Sequence, residues 1–321
     1  MYTAVILAAG EARRMGALKQ LLPWEKSTVL ETVIKNVLKC DLIDDQTRVV
    51  LGAGREKIKP RLKKISDNNL KIRENPAYKE GMISTIRTGI KDLPSSTQVL
   101  LFVLGDQPLI TPQIFSKCID QFQKSRTKML VPTHKGQNGH PVIVSTELIP
   151  EIKKLNGPGG LRGLFDIIPE EIEYYPLDDK RIVIDFDFYD EYKRYRSREQ
   201  NKRGYNLNYK FWLEGDKKVF GDGPCDILQR IDRFGSLRRA AEDMKMSYSQ
   251  AWNLINKLED RLGFKLIKKQ AGGRSGGGSK LTEKGRVLLD AFLAFRREIH
   301  YKLTELEDKY FNEELWDKLQ Q

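Results

Sequence analysis

Two rhythms of apolar positions run along this chain, and one gives way to the other near residue 205. In the first part, short unbroken apolar runs recur at Val5-Ile6-Leu7, Val49-Val50-Leu51, residues 99–104, Met129-Leu130-Val131 and Pro141-Val142-Ile143-Val144. Runs of that length without polar alternation predict strands buried on both faces. Between the first two, Val29, Val33, Ile34, Val37 and Leu38 recur at helical spacing behind Thr28, a suitable N-cap. A basic helix is predicted over about 55–65, a strand over 70–73, and a last strand through Ile182-Val183-Ile184. Strands alternating with helices predict a three-layer, Rossmann-like α/β sheet.

The second part reads as mostly helical. Residues 209–221 predict a hairpin turning near Gly215-Asp216. A helix over 224–234 carries Ile227, Leu228, Ile231 and Phe234 on one face and stops at Gly235. Ser236 caps a second helix over 237–244. Ser247 opens a third, with Gln250 completing a capping box. In that helix Ala251, Leu254, Ile255, Leu258 and Leu262 face inward, leaving Ser247, Tyr248, Ser249, Gln250, Asn253 and Lys257 outward. Two helices joined tightly, the second presenting Ser, Gln, Asn and Lys, predict a helix-turn-helix with a recognition helix for double-stranded DNA. Residues 270–279, rich in glycine, predict a wing, with Arg274 set for a phosphate or the minor groove. Behind Thr282, Phe292, Phe295, Ile299, Leu303, Leu306 and Tyr310 step along a long C-terminal helix. That seam suits a homodimer, or packing on its own domain.

A chain of 321 residues accommodates two domains. The expected division is 1–192, a basic linker over 193–204, and 205–321. Net charge is +12, with 28 basic against 24 acidic residues over 1–190 and 28 against 20 over 191–321. The excess concentrates in the second part, as a nucleic-acid partner requires. Three well-separated cysteines, Cys40, Cys118 and Cys225, suit a reducing cytoplasm better than a disulfide framework or zinc site. No apolar run approaches the roughly 20 residues that span a bilayer, so no membrane role is expected. Met1-Tyr2-Thr3 leads straight into a strand, so no signal peptide is expected either.

Candidate chemistry gathers at strand ends. The first strand runs into Ala8-Ala9-Gly10, with Arg13, Arg14 and Lys19 close behind. A small-residue loop backed by cations suits phosphates: backbone N–H groups cradle the oxygens, and Arg and Lys neutralise them. The loop is neither G-x-G-x-x-G nor a Walker A motif. The central run over 99–104 delivers Gly105-Asp106-Gln107-Pro108 at its C-terminal end, where ligands of open α/β sheets bind. Asp106 there is a candidate Mg²⁺ ligand. Asp185 and Asp187 share a face if the strand before them continues. Gly81 to Ser84 marks a helix start, and His140 lies in the loop Gly139-His140-Pro141.

The opening stretch resembles the signature of the MobA-like nucleotidyltransferases, and most closely that of the molybdenum cofactor cytidylyltransferases. The carriers are Leu7-Ala8-Ala9-Gly10, Arg14-Met15-Gly16, Lys19 and Leu21-Leu22-Pro23-Trp24; Ala12 departs from the pattern's serine. Ala-Ala-Gly goes with cytidine users in that family. The resemblance implies CTP as donor, molybdopterin as acceptor, and release of pyrophosphate. It implies nucleotide contacts from Leu7, Ala8, Ala9, Gly10, Arg14, Lys19, Gly81 and Ser84, with Lys19, Arg14 and Asp106 as catalytic groups. It implies Mg²⁺ on Asp106 and on Asp187 or Asp185, and acceptor contacts from His140 and Arg162. Phe188-Tyr189, where the family has Thr-Pro, and Pro158, where it has Asp, are departures. Residues 205–311 resemble the LysR-type winged helix of molybdate-responsive regulators, on Gly235-Ser236-Leu237, Ala240-Ala241, Met246-Ser247-Tyr248, Ala251-Trp252 and Leu281-Thr282-Glu283-Lys284-Gly285. Two alternatives share these residues. One is a DNA-binding regulator whose first domain senses a nucleotide or cofactor; the other is a nucleotidyltransferase acting on a sugar or alditol phosphate.

Overall fold

The computed structural model describes residues 1–11, 18–24, 27–157, 159–186, 191, 192, 195, 209–270, 278–311, 315, 318 and 319. Arg14, Asp187, Arg274 and most of the expected linker lie outside the described residues. The described chain forms two compact units, one ending at Phe186 and one beyond it.

The first unit opens with β1 (Tyr2–Ala8), a small hairpin of β2 (Pro23–Trp24) and β3 (Ser27–Thr28), and α1 (Val29–Leu38). Then come β4 (Thr47–Leu51), α2 (Arg55–Leu62), β5 (Leu70–Glu74), α3 (Met82–Gly89), β6 (Val99–Leu104) and α4 (Pro112–Lys124). It closes with β7 (Met129–His134), β8 (Gln137–Asn138), β9 (Val142–Ser145), α5 (Ile149–Lys154) and β10 (Ile172–Pro176). Seven strands follow one another in the order β10-β7-β9-β6-β1-β4-β5, with β8 appended to β7. β9 runs antiparallel between β6 and β7; the other neighbours on that path are parallel.

Local chemistry explains these elements. At the start of α1, Thr28 Oγ1 accepts from Glu31 N, and Glu31 Oε2 accepts from Thr28 N. This reciprocal cap starts the helix where the periodicity begins. β1 lies between β4 and β6, so Ala4, Val5 and Ile6 are fully buried. Alternation sends Val5, Val50, Leu100 and Phe102 to one face, against Ile83 and Ile86 of α3 and Ile152 of α5. Ala4, Ile6, Val49 and Leu101 turn to the other face, where α1 and α4 pack, so helices cover both sides. Arg48 is nearly fully buried in β4. Its guanidinium donates to the carbonyls of Gly89, Lys91 and Asp92, closing the C-terminus of α3.

The expected strand through Ile182-Val183-Ile184 is not formed. Residues Lys180–Val183 make a 3-10 turn. Asp179 accepts from Arg181 N and from the Arg181 guanidinium, and this local cap curls the chain that the apolar run alone would extend. The strand-face argument joining Asp185 to Asp187 therefore fails, and Asp185 is exposed in non-strand backbone.

The second unit has a hairpin of β11 (Trp212–Glu214) and β12 (Lys218–Gly221). It continues with α6 (Asp222–Phe234), α7 (Leu237–Asp243), α8 (Tyr248–Leu262), the paired strands β13 (Ile267–Gln270) and β14 (Gly278–Leu281), and α9 (Glu283–Tyr310). Gly235 and Gly263 end α6 and α8 at φ 64° and 72°, a region costly for residues with a Cβ. Ile227, Leu228 and Ile231 of α6, Ala251, Ile255 and Leu258 of α8 and Leu289 and Phe292 of α9 share one core. Phe292 is thus occupied within its own unit, while Phe295, Leu306 and Tyr310 are exposed. A buried polar layer crosses this core. Arg296, with no exposed surface, donates to Asp226 Oδ1 at 3.0 Å and Gln229 Oε1 at 3.2 Å, and Arg230 meets Asp243 at 2.6 Å. No helix of the described residues is long and apolar enough to cross a membrane.

Candidate active site

β1 ends at Ala8, and the loop beyond it is held from three sides. Ala8 and Ala9 are buried, and their small size has a packing reason. A Cβ on Gly105 would fall 2.8 Å from Ala8 Cβ, and one on Gly52 would fall 2.6 Å from Ala9 O and 2.7 Å from Tyr78 Cβ. The ends of β4 and β6 therefore press directly on the loop, which only small residues on both sides permit. Gly10 is exposed, and a side chain there would meet nothing within 4 Å. Leu7 is half-buried at the end of the strand.

A single 3-10 turn, Lys19–Leu21, follows. Lys19 Nζ lies 3.1 Å from Asp106 Oδ2, with 11% of the lysine side chain and 25% of the aspartate side chain exposed. The next residue, Gln20, is buried; its Nε2 donates to Ala8 O at 3.0 Å and Gly10 O at 3.3 Å.

The segment before α3 reaches the loop through Tyr78 on Gly52. Gly81 there has φ 102°. Ser84 is buried and its hydroxyl is engaged within the segment. Its proton is shared between Ala77 O and Gly81 O, and it accepts from Asn75 Nδ2 at 2.9 Å. Asn75, almost fully buried, also donates to Thr85 Oγ1 and accepts from Ala77 N. The order of this segment is thus set by an asparagine that the sequence reading did not single out.

His140 lies within reach of the charge of Asp106. Its Nδ1 lies 3.3 Å from Phe102 O, and its backbone N–H donates to Ile182 O. Desolvation holds its imidazole below the ordinary histidine range. The Phe102 carbonyl and Asp106 act against that shift, and Arg162 acts with it. The fields of Asp106 and Arg162 therefore both reach this ring, while Arg162 itself is exposed on the turn Gly160–Leu164. The bond from His140 to Ile182 draws the chain toward Asp185 to this side. Phe186 is tied to the signature's Trp24, ring centroids 5.1 Å apart. Arg87, on α3, donates to Lys153 O, Leu155 O and Asn156 Oδ1, and so fastens the loop carrying Arg162 to the helix that starts at Gly81–Met82. No sequence signal marked the roles of Arg87 or Gln20, because each acts chiefly on backbone carbonyls that only the fold brings to it.

In the second unit, Ser247, Tyr248, Ser249, Gln250, Asn253 and Lys257 are all exposed on α8. Ser247 and Gln250 form the expected capping box, which engages Gln250 Oε1 with Ser247 N at 2.9 Å. Tyr248 stacks on Trp252, and Arg238 of α7 lies over the Tyr248 ring. Glu259, buried on the same helix, accepts from Leu266 N and Ile267 N and so holds β13 against α8.

The model of the MobA-like NTP transferase domain matches residues 4–173. The chain belongs to that family. As a MobA-like chain it is a nucleotidyltransferase, and a second model, of the lysR-family bacterial regulatory helix-turn-helix protein, matches residues 225–286. It is 29% identical over 190 residues to the molybdenum cofactor cytidylyltransferase of Escherichia coli K12, covering 59% of this chain and 92% of that one. It is 28% identical over 156 residues to a "Probable molybdenum cofactor guanylyltransferase" of Methanosarcina mazei, covering 47% and 67%. Over 91 residues it is 35% identical to the molybdenum transport protein ModE of Azotobacter vinelandii, covering 28% of this chain and only 34% of that relative. In fold, the MobA-like chain resembles a nucleotidyl transferase from Methanothermobacter, with TM-score 0.55, 18% identity, and coverage of 63% and 99%.

Proposed function

We propose that this nucleotidyltransferase transfers a cytidylyl group from CTP to the terminal phosphate of molybdopterin, with Mg²⁺, and that its second unit binds double-stranded DNA. The proposed division is an enzyme domain over 1–192, a basic linker over 193–204 and a winged helix over 205–321.

The observation that carries the catalytic reading is the Lys19–Asp106 pair beside the exposed Gly10, at the C-terminal end of the central strands. In the proposed reaction an acceptor phosphate oxygen attacks the α-phosphorus of CTP. A P–O bond forms there as the bond to the β-phosphate breaks, and pyrophosphate leaves. A phosphate nucleophile is already ionised, so no general base is required. Lys19 and Arg14 neutralise triphosphate charge, Leu7, Ala8, Ala9, Gly10, Gly81 and Ser84 border the nucleotide, and His140 and Arg162 face the acceptor. Positioning and charge neutralisation carry the rate.

Among the described residues no three His, Cys, Asp or Glu side chains gather as a ready-made metal site. Mg²⁺ needs only one or two carboxylates and takes its other ligands from phosphate oxygens and water. Asp106, partly exposed at the strand end, fits that requirement, with Asp187 or Asp185 as the second carboxylate. The ion supplies charge neutralisation at the reacting phosphates.

Cytidine is favoured by Ala8-Ala9-Gly10 and by the extent of the match to the cytidylyltransferase. Pyrophosphate release is measured with cofactor, Mg²⁺ and each of CTP, GTP and ATP. Release with CTP is expected; release with GTP alone overturns the base assignment. For the second unit, a mobility shift on promoter DNA with steep salt dependence is expected. No shift on any DNA at low salt removes the DNA-binding reading.

A further inference from the structure

The carbonyls of Ala8, Ala9 and Gly10, just after β1, each have a donor. Gln20 Nε2 covers Ala8 O and Gly10 O, and Ala53 N covers Ala9 O at 3.1 Å. The N–H groups of Ala9 and Gly10, by contrast, donate to nothing among the described residues. An anion approaching the exposed Gly10 thus meets peptide donors, and no bare carbonyl oxygen from these three residues. A free carbonyl dipole turned toward a triphosphate would repel it, and in a site shielded from water that repulsion is strong.

We propose that Gln20 is a positioning residue for triphosphate binding: by engaging the Ala8 and Gly10 carbonyls, it leaves Ala9 and Gly10 with donors alone to present to phosphate. The inference rests on the nucleotidyltransferase reading of this loop. Geometry ties the two functions of the turn together. In a 3-10 helix successive side chains point about 120° apart. Lys19 therefore reaches Asp106 while its neighbour Gln20 turns beneath the loop, and one turn aims both the cation and the clamp. The amide is held by its donor end: Gln20 Oε1 is buried without a partner among the described residues. A side chain of the same reach lacking the two N–H donors removes the clamp and leaves the packing.

The test is calorimetric binding of Mg–CTP and of CMP to the full chain and to Gln20→Met, with thermal melting alongside. CMP shares the base, ribose and one phosphate, so it reports general damage to the pocket. Gln20→Met is expected to weaken CTP binding by about tenfold or more, with CMP binding changed by less than about threefold. Equal loss for both ligands, or no loss for either, overturns the proposal. If Gln20→Met fails to fold, Gln20→Asn, which keeps the amide but shortens its reach, is read for the same split. If the unaltered protein binds no nucleoside triphosphate at all, the functional reading of the whole site falls, an outcome distinct from failure of the Gln20 proposal.

Discussion

Lys19 and Asp106 are 87 residues apart in sequence, yet the lysine ammonium stands 3.1 Å from the aspartate carboxylate. One belongs to the turn after the opening loop and the other to the end of β6. The sheet joins them because β1 and β6 are adjacent parallel strands whose C-terminal ends coincide, with Leu7 level with Leu104. A partly exposed pair of this kind adds little to stability. In the proposed reaction its value lies in pre-placing a cation and a carboxylate where a metal-bound triphosphate would require both.

Asp106→Asn keeps the side chain's shape and removes its charge. Pyrophosphate release from CTP is expected to fall by about 10²-fold or more, as does that of Lys19→Met, with melting temperatures close to the parent's. Unchanged turnover in Asp106→Asn would reduce the pair to a structural contact.

His140 makes a pH prediction with a definite sign. Its folded pKa is depressed below 6.5 by desolvation, so as pH falls through about 6.5 the unfolded chain takes up the proton first. Stability is therefore expected to decline from about pH 6.5 downward and to level off below the folded pKa. Denaturant midpoints measured from about pH 5 to 8 test this, and His140→Asn should flatten that part of the profile.

Glu259 ties the first wing strand to the recognition helix. Glu259→Ala leaves the Leu266 and Ile267 N–H groups without their acceptor, at a cost of about 1–3 kcal/mol. Hydrogen exchange at those two amides is expected to accelerate, and urea unfolding of the second unit to shift to lower concentration.

Lys257 is exposed on α8 and contributes charge to the proposed DNA face. Lys257→Ala should weaken DNA binding on all sequences alike and lower the slope of log affinity against log salt by about one. A loss confined to one base sequence would instead make Lys257 a base reader.

What was legible in the sequence was local. The helix expected over 29–38 is Val29–Leu38, because periodicity and the Thr28–Glu31 cap lie within a few residues of each other. The capping box at Ser247 and the stop at Gly235 were legible for the same reason. The apolar run Ile182-Val183-Ile184 misled because the competing signal, Asp179 bonded to Arg181, is a side-chain geometry with no hydrophobic signature. Ala8 and Ala9 read as small residues that let a ligand approach the backbone; that their side chains also pack against Gly105 and Gly52 was not legible, because those glycines come from distant strand ends.

Taken by itself, the order of residues determined the alternation of strands and helices, the change to a helical second part, and the motifs that carry charge. Each depends on neighbours within a few positions. Only the tertiary structure decided that β9 would run antiparallel between β6 and β7, that Asn75 would bind Ser84 and Thr85, and that Lys19 would meet Asp106. Those pairings join residues that only a folded sheet makes neighbours, and no local spacing encodes the hydrogen-bond and packing partners such neighbours find.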